Sequence, residues 1–285
     1  MILQREIIQC SKKLGVPPAT IDKDWVLGHV LNAMYSFDDI RKNLMFKGGT
    51  CLKKCYFENY RFSEDLDFTL INKDFKIDTK FLKKILQKAV KISGIKFDVN
   101  AKIKNQVHHD VEQGYEVNIR FWGADHKPNQ KPLAVNRWQT AIKFDISFSE
   151  QLISSPCHLD ILHEYTDKDL IAEKVTCYSL QEIVSEKLRS LAQRNRPRDI
   201  YDNWYFSQYI NTQEYPGIKE LLIRKAKQKN IDVSDINQLI NEKKRELLER
   251  AWEKSLQHQI KRDELPPFEV AYDSLQTFIE NILNA

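Results

Sequence analysis

Residues 46–68 read FKGGTCLKKCYFENYRFSEDLDF, and the order of features in this stretch decides the fold. A glycine pair and Thr50 open what the pattern predicts as a helix. A short connection then leads to Asp65 and Asp67, two apart between Leu66 and Phe68. Successive side chains of a β-strand point to opposite faces, so Asp65 and Asp67 share one face while Leu66 and Phe68 turn into a core. Two carboxylates on one face suit Mg²⁺, a hard cation held by one or two carboxylates plus substrate phosphates. Gly48, Gly49 and Thr50 offer backbone N–H groups and a hydroxyl at a helix N-terminus, where anions are favoured. A phosphate cradle beside a metal platform is what nucleotidyl transfer requires. The same residues have plainer readings. An isolated Asp-x-Asp often bonds its own loop at a strand edge, and Lys47 serves either the phosphates or simply a solvated strand end.

Around this stretch the chain reads as an α/β lobe followed by a helical lobe, with the boundary near residue 180: 1–180 and 181–285. Apolar residues Ile21, Trp25, Val26, Val30 and Met34 recur at helical spacing over 19–36, and 78–93 is amphipathic. KFDVNAKIK (96–104), GYEVNIRFWG (114–123) and TAIKFDISF (140–148) alternate with period two, which predicts strands. The last puts Lys143, Asp145 and Ser147 on one face, with Ile142, Phe144, Ile146 and Phe148 on the other. VTCYSL (175–180) reads as a final short strand. From Gln181 onward the pattern is helical, broken at Asn195-Arg196-Pro197, Pro216-Gly217 and Pro266-Pro267.

Three blocks carry a resemblance. Lys47-Gly48-Gly49-Thr50 with Arg61-Phe62-Ser63-Glu64-Asp65-Leu66-Asp67, then QEIVSEKLRSLAQRNRPRDIYDNWY (181–205), and DKDWVLGHVL (22–31) resemble the AbiEii-type abortive-infection toxins of bacterial type IV toxin–antitoxin systems. These form a branch of the polymerase β-like nucleotidyltransferases. The gap from Thr50 to Asp65 is at the long end for that superfamily. The resemblance implies an α+β fold: a nucleotidyltransferase domain with a mixed sheet flanked by helices, plus a C-terminal helical bundle. It also implies a catalytic set of Asp65, Asp67, Asp145 and Asp202. Asp65, Asp67 and Asp145 would hold two Mg²⁺ ions, or Mn²⁺ in their place. Lys47, Gly48, Gly49, Thr50, Lys187 and Asp199 would bind the nucleotide. Asp199 and Asp202 compete for one family aspartate, and the sequence does not choose between them. Taken without the resemblance, Asp145 could pair with Lys143, Lys187 could snorkel beside the apolar stripe of its helix, and the two later aspartates could form an arginine network.

Composition narrows the function. No stretch approaches the roughly 20 apolar residues that span a membrane. The opening MILQREIIQCSKKLG lacks the apolar block of a secretory signal. Five cysteines, an odd number without a CxxC pair, read as reduced cytoplasmic thiols. Cys51 and Cys55, four apart on the expected helix, read as core packing before metal or redox chemistry. His108-His109-Asp110 and His158-x-Asp160-x-x-His163 lack the companions of a structural zinc site. Net charge is +4, yet Pro216–Arg262 alone holds 12 Lys or Arg against 7 Asp or Glu. That surplus reads as an electrostatic footprint for nucleic acid or as a solvated helical face. The leading expectation is therefore transfer of a nucleoside monophosphate from an NTP to an RNA acceptor, by resemblance the 3′ end of tRNA, with a separately encoded antitoxin that need not touch the toxin. The alternatives are an NTP-binding module without transfer and an enzyme that modifies protein hydroxyls.

Overall fold

In the computed structural model, which describes residues 1–108, 111–127 and 129–285, contacts divide the chain into Met1–Tyr178 and Ser179–Ala285. The first unit begins with α1 (Gln4–Leu14), stopped by Gly15 at φ 63, and α2 (Pro18–Tyr35), which starts on proline. Proline suits a first helical turn, where its missing N–H would have had no partner. The sequence marks one apolar stripe on α2, but the helix is buried around nearly its whole circumference. Asp22, Asp24, His29 and Asn32 are therefore interior as well, and interior polar groups require partners. Asn32 finds them in a loop: its amide donates to the Leu170 carbonyl and its oxygen accepts from the N–H groups of Ala172 and Glu173.

After α3 (Asp38–Asn43), strand β1 (Leu44–Lys47) runs into α4 (Gly48–Cys51), which continues as a π-turn over Leu52–Tyr56. Then come β2 (Asp65–Leu70), α5 (Thr79–Ser93), β3 (Lys96–Phe97), β4 (Ile103–His108), β5 (Val111–Trp122), β6 (Ala141–Ser147), β7 (Cys157–Asp160) and β8 (Lys174–Cys177). They form a mixed sheet ordered β3-β5-β6-β2-β1-β8-β7, with β4 also on β5. β2 and β6 pair in parallel, as do β1 and β8; the other pairs are antiparallel. Helix α2 packs on the sheet and α5 packs on α2. Two strand expectations need correction. KFDVNAKIK is not one strand: the Asp98 carboxylate accepts from the Asn100 N–H, turning the chain between β3 and β4. VTCYSL ends as a strand at Cys177, because Ser179 caps the next helix through the Glu182 N–H. His109 and Asp110 of the first histidine set lie outside the described residues.

Asp22 shows what burying α2 entails. One carboxylate oxygen accepts from the Ala124 N–H at 2.7 Å, and the other is buried without a partner against Gly123. Burial, with a smaller contribution from Asp125, pushes its pKa up to about 6. A folded pKa above the unfolded value of 3.8 means that the native state holds the extra proton. Stability contributed by this group is thus full below about pH 4 and is lost as pH rises through about 6. Asp22→Asn should remove that slope and stabilise the protein near pH 7.5 by about 3 kcal/mol, since each tenfold change in proton affinity corresponds to about 1.4 kcal/mol. Denaturant midpoints from pH 4 to 8 check this; parallel profiles for the two proteins would contradict it.

The second unit comprises α6 (Leu180–Gln193), α7 (Pro197–Tyr209), α8 (Tyr215–Gln228), α9 (Ile236–Leu239), α10 (Glu242–Leu256) and α11 (Phe268–Asn284). The proline-marked breaks are helix starts: Pro197 and Pro216 lie in the first turns of α7 and α8, and Pro267 precedes α11. Its core is aromatic and aliphatic, with Leu188, Ile200, Phe206, Leu222, Trp252, Phe268, Leu275 and Phe278 all buried.

Candidate active site

β2 and β6 bring the acids together. Their parallel register sets Asp67 directly beside Asp145 and Asp65 beside Lys143. Leu66, Phe68, Phe144 and Ile146 are buried, so the acidic face is the opposite one. β6 follows the period-two reading residue for residue, and β2 follows it from Asp65 to Phe68, beyond which Thr69 is also buried. β5 extends the row with a residue that the sequence reading passed over, because Glu116 is the register partner of Asp145. Lys143 bridges them, 2.9 Å from Glu116 and 3.4 Å from Asp145, and the hydrogen bond from Lys143 holds the Glu116 carboxyl below the usual range. The pairing of Asp145 with Lys143 is thus real. It leaves the other Asp145 oxygen to a long contact, 3.5 Å, with the Gln106 amide.

The turn before α4 fits this row closely. Gly48 has φ 81, and a Cβ placed there would lie 2.2 Å from a carboxylate oxygen of Asp67. Position 48 thus needs glycine for its backbone and for its neighbour. Thr50 is buried, and its hydroxyl donates to the Asp65 carbonyl at 2.5 Å. That hydroxyl fastens the turn to β2. Lys47 pairs in register with Asp67 and its ammonium lies over the Tyr178 ring, 5.4 Å from the centroid. Arg61 and Ser63 crowd Gly49, where a Cβ would fall 3.1 Å and 2.9 Å from their side chains. Both were visible in the quoted string, but nothing in their spacing marked them. The π-turn, closed by the Phe57 N–H on the Leu52 carbonyl, is of a kind frequent at functional sites.

Oxygen donors on one face suit a hard cation, and Asp65, Asp67 and Asp145 meet that requirement. Among the described residues, however, the three-membered groups whose donor atoms all lie within 4.8 Å of one another are Cys51-Cys55-Cys177 and His29-His163-Asp167. The aspartates share a face without closing on one point, so a bound ion would draw them inward. The imidazole group needs no metal. Asp167 accepts from His29, His163 and the Trp25 indole at 3.0–3.2 Å, and these donors hold its carboxyl far below the usual range against the effect of burial. The second histidine set does not converge: His158 and Asp160 are exposed and bond Thr176 and Lys174, while His163 faces inward.

In the helical unit, Lys187 on α6 meets the fully buried Asp202 of α7 at 2.7 Å. Asp199 is instead clamped by Arg194, which donates to both its oxygens at 2.7 and 2.9 Å. Geometry thus couples Lys187 to Asp202. The basic surplus reads differently in three dimensions. Lys225 is fully buried between Glu182 at 2.7 Å and Glu186 at 3.0 Å. Lys244 donates to the carbonyls of Leu191, Gln238 and Leu239, and Arg245 pairs with Glu269 and Glu242. Arg224 reaches Glu220. Within α8–α10 Lys225 is thus internal and Lys244 and Arg245 are tied to partners, while Arg224, Lys227, Lys243, Arg250 and Lys254 stay exposed.

Comparison with known proteins supplies the family. The model of the family described as nucleotidyl transferase AbiEii toxin, type IV TA system, matches residues 29–274. The chain belongs to the AbiEii nucleotidyltransferase toxin family. That match runs from α2 through α11 and includes every candidate residue named above. MenT4, a nucleotidyltransferase toxin from Mycobacterium tuberculosis H37Rv, is similar in structure: TM-score 0.65 and 16% identity, over 98% of this chain and 90% of its own. At that identity the likeness speaks for the fold. A structure from H. pylori, titled as a nucleotidyltransferase, gives TM-score 0.48 and 16% identity over 91% of this chain and 92% of its own. No curated protein sequence matches significantly. AbiEii membership makes this a nucleotidyltransferase toxin of a type IV toxin–antitoxin system, with a nucleotide substrate and an antitoxin partner. Among the described residues, no helix is long and apolar enough to cross a membrane.

Proposed function

We propose that this AbiEii chain moves a nucleoside monophosphate from an NTP onto RNA, at the 3′ end of tRNA, in a reaction that depends on Mg²⁺. The observation that carries this reading is the register of Asp67 with Asp145 beside the Gly48 turn. Held by Asp65, Asp67 and Asp145, a pair of Mg²⁺ or Mn²⁺ ions would neutralise charge on the attacking and leaving oxygens of an in-line displacement. The protein's own part is positional. The Thr50 hydroxyl bond to β2 fixes the cradle against the acidic row, and the absence of a side chain at Gly48 leaves Asp67 its place. Lys143 ties Asp145 to Glu116 across the neighbouring strand. Lys187, oriented by Asp202, is the helical unit's candidate for the triphosphate, and Asp199 keeps Arg194 in place. The toxin acts in the cytoplasm, and its antitoxin is encoded separately and needs no direct contact.

Incubation of the purified chain with each α-labelled NTP, Mg²⁺ and total tRNA tests the reading. Label on RNA supports it. Label on protein would favour modification of hydroxyl side chains, and NTP binding without transfer would reduce the chain to a sensor.

The exposed pair Arg196 and Arg198, which flank the start of α7, is our candidate contact for RNA phosphates. Each phosphate neutralised releases counterions, so log K falls with log salt at a slope near roughly −0.9 per contact on a duplex. Arg196→Glu with Arg198→Glu should weaken tRNA binding and flatten that slope by roughly one per lost contact. An unchanged slope in a salt titration would move the acceptor elsewhere.

A further inference from the structure

Four of the five cysteines of the chain gather at one place in the first unit. Cys51 comes from α4, Cys55 from the π-turn and Cys177 from the end of β8, and their sulfur atoms all lie within 4.8 Å of one another. Cys51 and Cys177 are fully buried and Cys55 is half-buried. Cys157 on β7 is the register partner of Cys177, and directly opposed residues of an antiparallel pair project from the same face. The Tyr56 hydroxyl stands among them, 3.9 Å from the Cys177 sulfur and beside Cys157, while it donates to the Tyr178 carbonyl at 2.6 Å. Cys10, on α1, is the one that remains.

Packing alone does not account for this convergence. A buried free cysteine behaves as a small apolar side chain, and valine or alanine fills such space equally well. Sulfur becomes specific where several thiolates meet at one point. Cys51-x₃-Cys55 has a spacing found in structural zinc sites, and the ligands that complete such sites come from a separate element, as Cys177 does here. A Zn–S bond of about 2.3 Å implies a sulfur–sulfur edge of about 3.8 Å in a tetrahedron, so three sulfurs already within 4.8 Å need only a small contraction. Three thiols cannot all be satisfied by disulfides among themselves. One metal ion satisfies all three.

We propose that Cys51, Cys55 and Cys177 bind a zinc ion as thiolates, with Cys157 turning in from β7 as the fourth ligand. Each thiol gives up its proton to solvent on binding, and no oxidant or reductant takes part. The ion clamps the helix after the glycine turn to the β7–β8 pair. Cys51 follows Thr50 directly, so the clamp acts one residue from the cradle. The site is separate from the carboxylate row and would exist whether or not the chain transfers nucleotides.

Metal analysis of protein expressed in zinc-supplemented medium and purified without chelator should find one equivalent of zinc. Cys10→Ser should retain it, whereas Cys55→Ser and Cys177→Ser should lose it. Because Cys177 is fully buried and its variant could misfold, the wild-type chain provides a second readout. Chelator treatment should lower its Tm, and Co²⁺ added in place of zinc should give the near-ultraviolet thiolate-to-cobalt charge-transfer band. Substoichiometric zinc with no such band would overturn the proposal. So would copper or iron as the resident metal, or a disulfide among these cysteines in the freshly isolated protein.

Discussion

Asp67→Asn leaves a folded protein whose nucleotidyl transfer is slower by about 10³-fold, because metal-assisted charge stabilisation is worth several kcal/mol and each step of roughly 1.4 kcal/mol is a factor of ten. The change removes charge without altering shape, and Gly48, lacking a Cβ, leaves the side chain at position 67 its room. Asp145→Asn should match it, since the two residues are register partners on one face. Single-turnover rates at saturating NTP and Mg²⁺ check both, with circular dichroism to confirm folding. Wild-type turnover in the first variant would remove the metal role. A normal rate in the second alone would return Asp145 to its ion pair with Lys143.

Lys54→Met should cost about 3–5 kcal/mol of stability, the range for breaking a buried ion pair from one side. Lys54 lies in the π-turn and its ammonium is 2.6 Å from Asp24 of α2; both side chains are almost wholly buried. Burial opposes a charge on Asp24, yet Lys54 and Lys53, with the Tyr165 hydroxyl, hold its carboxyl below the usual range. Without Lys54 that carboxylate loses its closest charge partner and keeps only Lys53 and the Tyr165 hydroxyl. The double variant Asp24→Leu with Lys54→Met should recover most of the loss, since apolar replacement of a whole buried pair is often neutral. Urea midpoints of the three proteins test this. A loss under about 1 kcal/mol in the single variant, the range of exposed pairs, would contradict it. The sign with pH is opposite to that of Asp22. A depressed pKa gives stability above the unfolded value and loses it as acid protonates Asp24.

The parts legible in the sequence were those written in local periodicity. Leu66-Phe68 and Phe144-Ile146 announced which faces of β2 and β6 are buried, and hence where Asp65, Asp67 and Asp145 emerge. The glycine pair announced the turn, and Gly48 indeed has positive φ. Relations between distant elements were not legible. No spacing says that Thr50 bonds the Asp65 carbonyl, that Glu116 joins the acidic row, or that Cys177 meets Cys51 and Cys55. α2 shows the limit most clearly. Its apolar stripe was read correctly, but a helix buried on all sides hides its charges among residues that look solvated, and Asp24 gave no sign of Lys54. Composition also counted internal charges together with exposed ones. Lys225 and Lys244 count as positive charges in composition, whereas in space one neutralises two glutamates and the other caps carbonyl groups.

The pairing of β2 with β6 also sets when the carboxylate row can form during synthesis. Its two aspartates are about 80 residues apart in the chain, and closing a loop of that size is entropically unfavourable until the intervening strands are ready to dock. A ribosome adding about 5–20 residues per second finishes β6 roughly 4–16 s after β2. Throughout that interval the nascent polypeptide carries the glycine turn and its first acids without the partner strand. Long-range parallel pairing thus postpones a complete carboxylate row until most of the first unit has been synthesised.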